Sequence, residues 1–142
     1  MAHQISLFME NRPGKLNTII KAITDKHIAI KAFTIASADK FGIIKMLVNE
    51  PYKVRELLRD SDLTVALAEV MVIEIDNIST NMVSITELLL SKGINIDSAF
   101  GFTLSKGGKT LFVIETQETA QIKSLLEDKG VKVLSDAQIY AL

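Results

Sequence analysis

Residues 5–16 decide the fold, and they read ISLFMENRPGKL. Ile5, Leu7 and Met9 recur at every second position, as they do in a strand that buries one face. The segment Asn11–Gly14 then breaks the strand, and its proline is well placed to open a helix. Apolar residues continue at the spacing of a helical stripe, at Leu16, Ile19, Ile20 and Ile23. This stretch therefore predicts a strand, a turn and an amphipathic helix.

The same pattern returns 66 residues later in the chain. At this offset Ile5, Leu7 and Met9 align with Met71, Ile73 and Ile75, Asn11 aligns with Asn77, and His27 aligns with Gly93. After two inserted residues the offset becomes 68, and Leu57 and Leu58 align with Leu125 and Leu126. A repeat of this kind identifies the structural unit. We therefore expect two domains of about 70 residues, 1–68 and 69–142.

The rest of the first repeat completes the order of elements. Residues 28–37 and 42–49 are rich in β-formers and are joined by turn residues, which predicts a hairpin. Pro51 opens a second, short helix, and Leu63 begins a closing strand. The order strand, helix, strand, strand, helix, strand is the ferredoxin-like plan of the α+β class, in which both helices cover one face of an antiparallel sheet.

The plan leaves the second face of each sheet bare, although the strands are apolar on both sides of their alternation. We therefore expect that face to pack on another sheet or another chain. Residues 64–75 join the repeats without Gly, Pro or Ser, which excludes a flexible linker. We expect a tight turn or bend near Ala68–Val70, and a short final strand at residues 138–142.

Composition excludes several classes of function. The 16 Lys and Arg residues balance 17 Asp and Glu residues at a net charge of −1, so no basic field attracts nucleic acid or anionic lipid. The chain has no Cys and two scattered His residues, so we expect no metal site, no cofactor and no catalytic residues. No run of 18 apolar residues and no targeting segment is present, which indicates a cytoplasmic protein without a membrane partner.

The segment Glu10–Leu16, the helix after it, Ile28–Ile30, and Gly42 before a β-rich strand together resemble the ACT domain, a regulatory module that binds small molecules. The resemblance covers the whole chain in two copies. The chain is therefore similar to stand-alone tandem ACT proteins, which are described as amino-acid-binding. The resemblance implies a ligand held between adjacent ACT units, by the loop after a first strand and the start of a second strand.

Carried over position by position, the resemblance implies a set of ligand-binding residues: Asn11, Arg12, Pro13, Gly14, Leu16, Ala29, Asn77 and Asn95. Each unit departs from the pattern once, because Ala29 replaces the second Asn in the first unit and Ser79–Thr80 replaces Pro-Gly in the second. Either the two units complement each other at one composite site, or one unit is purely structural.

Elementary chemistry agrees with a carboxylate at the loop, because the free N–H groups at a helix start attract anions and glycine allows close approach. Paired Asn amides could clamp an amino-acid zwitterion. Asn11 and Asn77 also fit a purely structural role as turn residues or helix caps. Asn95 also fits an outward-facing residue at the start of a strand.

The leading hypothesis is a non-enzymatic, amino-acid-binding regulatory protein that forms a homodimer. The alternative is a constitutive interaction module, such as a detached regulatory subunit of an amino-acid biosynthetic enzyme, which would then be a partner. The exposed sheet faces expected from the apolar strands favour this alternative.

Overall fold

The computed structural model describes residues 1–142, and its contacts divide them into two compact units. The first unit comprises His3–Ala68 and Tyr140–Leu142. The second comprises Met1–Ala2 and Glu69–Ile139. Antiparallel strands and helices form both units, and the α+β, ferredoxin-like class is confirmed.

The first unit contains six elements in the expected order. These are β1 (Ala2–Glu10), α1 (Lys15–Thr24), β2 (Ile30–Ala38), β3 (Phe41–Val48), α2 (Pro51–Leu58) and the start of β4 (Thr64–Ile75). The strands lie in the order β2-β3-β1-β4, and β1 pairs with β3 from Ile5 opposite Met46 to Glu10 opposite Phe41. The predicted β2–β3 hairpin is confirmed, with Asp39 at its turn and a φ of +58°.

The second unit is built from the end of β4 followed by α3 (Ile78–Ser91), β5 (Ser98–Thr103), β6 (Thr110–Glu115), α4 (Thr119–Asp128) and α5 (Asp136–Tyr140). Its strands lie in the order β4-β6-β5. A fourth position is filled by a short segment, in which Val133 bridges Ile73 and the Leu134 N–H donates to the Val72 carbonyl at 2.8 Å.

Each unit has its own core between the helices and one face of the sheet. In the first unit, Ile19 and Ile23 of α1 and Val54 and Leu58 of α2 are buried with strand residues such as Leu7. In the second unit the corresponding buried residues are Ile85 and Leu89 of α3, Ile122 and Leu126 of α4, and Met71, Ile73, Ile75 and Ile114 of the strands. The helical stripes seen in the sequence therefore face the sheets.

Three details of the predicted elements are wrong. No turn interrupts Ala68–Val70, because β4 is one strand of 12 residues with nothing in its sequence to break it. Residues 138–142 do not form a strand, since Asp136–Tyr140 is helical and buries Ile139. Pro13 does not open α1: it lies in the turn before the helix, and Gly14 is the N-cap.

Candidate functional site

The loop Asn11–Gly14 connects β1 to α1 and is exposed along its length. The Asn11 N–H donates to the Lys40 carbonyl at 2.8 Å, which ties the loop to the β2–β3 turn. Gly14 adopts a φ of +82°, in the left-handed region, and nothing lies within 4 Å of the position that a Cβ would take. No side chain caps α1. The Lys15 N–H donates to the Arg12 carbonyl at 3.2 Å, while the N–H groups of Leu16 and Asn17 in the same first turn have no protein acceptor.

Charged groups of both signs surround this loop. The Arg12 Nε lies 2.9 Å from a Glu10 carboxylate oxygen, and its guanidinium lies 3.6 Å from Asp62. Lys15 forms an ion pair with Asp62, and its side chain is only 14% exposed. Hydrogen bonding to Lys15 and its positive charge hold the pKa of the Asp62 carboxyl below its ordinary value. The loop thus presents helix N–H groups and cations beside carboxylates, the two kinds of group that a zwitterion requires.

Leu16 and Ala29 make contacts within the first unit. Leu16 is half-buried and packs against the core of the first unit. The Ala29 N–H donates to the Asn49 Oδ1 at 2.9 Å, and the Ala29 carbonyl accepts from the Asn49 N–H at 3.2 Å. The backbone polar groups of Ala29 are therefore paired within the chain.

Asn77 is the N-cap of α3. Its Oδ1 accepts a hydrogen bond from the Thr80 N–H at 3.0 Å, and its own N–H donates to the Asn81 Oδ1 at 3.0 Å. The side-chain oxygen is thus used as a cap, while the side-chain N–H groups remain as donors.

Asn95 is exposed in the connection between α3 and β5, because β5 begins at Ser98. The sequence placed Asn95 at the start of a strand, and this prediction is wrong. Within a ferredoxin-like unit the loop after the first strand and the start of the second strand lie at opposite ends of the first helix. In the first unit that helix is α1, whose 10 residues separate its two ends by about 15 Å. Neither unit by itself brings its two predicted Asn positions together.

The whole chain, residues 1–142, matches the family model described as an ACT domain pair. This chain belongs to the ACT domain pair family. A search of curated proteins gives no match.

Several solved structures resemble this chain. A crystal structure of a protein from Bacteroides thetaiotaomicron is 26% identical over 99% of this chain and 96% of its own, with a TM-score of 0.87. The ligand-free regulatory subunit of aspartate kinase from Thermus thermophilus is 16% identical, covers 89% and 91% of the two chains, and has a TM-score of 0.63. The corresponding subunit from Thermus flavus is 15% identical over 86% and 88%, with a TM-score of 0.56. The last two likenesses concern the fold alone.

The sequence did not identify two charged residues beside the loop Asn11–Gly14, namely Lys15 and Asp62. They are 47 positions apart, so local spacing does not associate them. The repeat contains a usable signal, because the offsets of 66 and 68 align Lys15 with Asn81 and Asp62 with Gly130. A pair of opposite charges is thus present in one ACT unit and absent from the other.

Three further features of the ACT pair concern metal ions, membranes and phosphate groups. The structure contains no group of three or more His, Asp or Glu residues that could hold a metal ion. None of its helices has the length and apolar character needed to cross a membrane. The segment Ser105–Lys109 connects β5 to β6 with positive φ angles at Gly107 and Gly108, as in a hairpin turn, and it does not lead into a helix as a phosphate-binding loop does.

Proposed function

We propose that this ACT domain pair is a non-enzymatic regulatory protein that binds an amino acid, with the loop Asn11–Gly14 as one wall of the ligand site. The observation that carries the proposal is the uncapped start of α1 beside Arg12 and Lys15. Free N–H groups at a helix start, together with nearby cations, favour an α-carboxylate. The carboxylates of Glu10 and Asp62 are paired with Arg12 and Lys15, and their remaining lone pairs are acceptors for an α-ammonium.

The side-chain amides of Asn11, Asn77 and Asn95 support the same proposal, because each keeps N–H donors at the surface. A regulatory role is supported by the fold shared with the aspartate kinase regulatory subunits of two Thermus species. Such a protein transmits a signal only if the ligand binds one arrangement of the molecule more tightly than another.

The test is thermal unfolding of the purified protein with each of the common amino acids at millimolar concentration. A ligand present at about 100 times its dissociation constant adds about 2.7 kcal/mol of stability. For a chain of this size we expect a selective rise in Tm of several degrees.

The Asn11→Ala and Asn95→Ala variants should lose this rise, whereas Gln121→Ala, which removes an exposed side-chain amide from α4, serves as the matched control. If both loop variants keep the wild-type affinity, these residues are not ligand residues. If no amino acid raises the Tm, the proposed function is wrong.

A second candidate function is a constitutive regulatory subunit that binds a biosynthetic enzyme without a small molecule. The exposed aromatic residues of the first unit favour it, because Phe8, Phe33 and Phe41 are 43%, 47% and 65% exposed. A stable complex with such an enzyme that no amino acid strengthens or weakens would support this function over the first.

A further inference from the structure

The second unit contains a cavity of about 690 Å³ between α3 and the segment that follows α4. Ile85 and Leu126 are buried and line its floor, and Leu88 and Val131 are half-buried at its walls. The volume lies in the range of about 300–1,000 Å³ that small-molecule sites occupy. The apolar part of the lining is entirely aliphatic.

Free charges of both signs stand at the rim of this cavity. The carboxylates of Asp76 and Glu87 and the ammonium of Lys129 line it, and they form no ion pair in the structure. A third carboxylate, Glu74, is already held by Lys132 at 2.6 Å and by Lys109 at 3.5 Å. Hydrogen bonding to Lys132 holds the pKa of the Glu74 carboxyl below its ordinary value, so this group stays ionised and paired.

A neutral donor adds to the rim. The Asn81 Oδ1 accepts the Asn77 N–H at 3.0 Å, which leaves the N–H groups of the Asn81 amide as donors beside the cavity. The Ser84 hydroxyl donates to the Thr80 carbonyl at 3.2 Å and is thereby occupied.

The first unit differs at the corresponding place. There the repeat puts Lys15 where the second unit has Asn81, and Asp62 where it has Gly130. Lys15 and Asp62 form an ion pair that spans from the start of α1 to the segment after α2. The second unit has neither charge, so no such pair crosses its cavity.

We propose that this cavity binds a zwitterionic small molecule with an aliphatic body, of which an aliphatic α-amino acid is the simplest example. Its ammonium group is held by Asp76 or Glu87, and its carboxylate by Lys129 and the Asn81 amide. Its aliphatic part covers Ile85 and Leu126. None of the predicted ligand residues lines this cavity, so the site is separate from the loop of the proposed function.

The test is an NMR titration of the full chain that follows the Ile85 and Leu126 methyl groups. The probes are L-leucine, 4-methylpentanoate, which lacks the ammonium group, and 3-methylbutylamine, which lacks the carboxylate. We expect L-leucine to shift both methyl groups in a saturable way. Each analogue should bind at least roughly tenfold more weakly, because hydrogen bonds between charged groups are the strong contributions at such a rim.

Two matched variants of α3 locate the binding. Ser84 and Thr86 are both exposed, and the hydroxyl of each donates to the carbonyl four residues earlier, at 3.2 and 2.8 Å. Only Ser84 lines the cavity. Ser84→Trp should abolish L-leucine binding, whereas Thr86→Trp should keep it.

The rim charge is tested with Lys129→Gln, and Lys106→Gln in the β5–β6 loop is the control. Lys129→Gln should weaken the binding of L-leucine about tenfold and leave the binding of 3-methylbutylamine unchanged, since that probe has no carboxylate.

The proposal is overturned if L-leucine leaves the two methyl groups unshifted, or if Ser84→Trp binds it as well as Thr86→Trp does. Signals of Asn11–Gly14 that shift alone would overturn the cavity site and support the proposed function. Methyl shifts that survive Asn11→Ala would support the cavity site alone.

Discussion

The backbone of His27 has a φ of +58°, in the left-handed region that residues other than glycine rarely adopt. It follows α1, where its N–H donates to the Thr24 carbonyl at 2.9 Å and the Ile28 N–H donates to the Ile23 carbonyl at 3.4 Å. This is the Schellman pattern, in which the left-handed position is normally glycine. Gly93 and Gly130 hold that position after α3 and α4, with φ of +67° and +79°. One helix end of three therefore carries a residue with a Cβ.

We predict that His27→Gly stabilises the protein by about 1 kcal/mol. The left-handed conformation costs a residue with a Cβ roughly 1–2 kcal/mol, and the greater freedom of glycine in the unfolded chain offsets part of the gain. Urea unfolding followed by circular dichroism measures the change.

The mirrored change, Gly93→Ala, is the control and should destabilise by a similar amount. A decrease in stability for His27→Gly would mean that the imidazole makes contacts that outweigh the strain of its backbone.

At the scale of the element, the two units begin their first helices differently. Asn77 caps α3 through the Thr80 N–H, whereas α1 begins at Lys15, and Gly14 at its N-cap position offers no side chain. One first-turn N–H is bonded at each start, that of Lys15 to the Arg12 carbonyl and that of Thr80 to the Asn77 side chain. The difference is charge, because the cations Arg12 and Lys15 add to the positive end of α1. The loop Asn11–Gly14 is therefore the better carboxylate site of the two.

Variants of Asn77 separate its capping role from a ligand role. Asn77→Ala should destabilise the protein by about 1 kcal/mol, while Asn77→Ser should retain the cap and nearly all of the stability. Urea unfolding of both variants, combined with amino-acid titration, gives the answer. Equal stability of the two variants would contradict a capping role, and an equal loss of ligand affinity in both would assign the amide to the ligand.

Local sequence patterns predicted the elements well where periodicity was strong, as in α1 and the β2–β3 hairpin. They failed at α5, because the short apolar run at 139–142 fits a strand as well as a helix, and only the capping residues before it distinguish the two. The Ser135 Oγ accepts the Gln138 N–H at 3.3 Å, and the Gln138 Oε1 accepts the Ser135 N–H at 2.8 Å. This reciprocal capping box is visible in the sequence and indicates a helix.

For the whole molecule, the candidate sites differ in how far sequence could identify them. The Asn11–Gly14 loop is contiguous, so its motif identified it directly. The cavity of the second unit brings Asp76 and Glu87 together with Lys129, and no local motif links residues so far apart in the chain. The cavity also depends on the absence of an ion pair, because Asn81 and Gly130 stand where the first unit has Lys15 and Asp62. The sequence alone does not show that Lys15 and Asp62 are paired in the first unit.

The exposed aromatic residues of the first unit bear on how the whole molecule assembles. Phe8 and Phe41 lie on the sheet face opposite the helices of the first unit, since Phe8 alternates with Leu7 and Met9 of the core and Phe41 pairs with Glu10. They are 43% and 65% exposed. In a symmetric dimer both copies bury these side chains. Fully burying one Phe side chain contributes about 1.5–3 kcal/mol to the free energy of association.

We therefore predict a homodimer whose stability depends on this aromatic face. Sedimentation velocity should give the mass of a dimer for the wild type, and the Phe8→Glu, Phe41→Glu double variant should sediment as a folded monomer with an unchanged circular dichroism spectrum. Tyr52→Glu, at an aromatic residue of α2 that is 52% exposed, is the control and should remain dimeric. A monomeric wild type, or a double variant that stays dimeric, would rule out this face as the interface and require any regulatory change to occur within one chain.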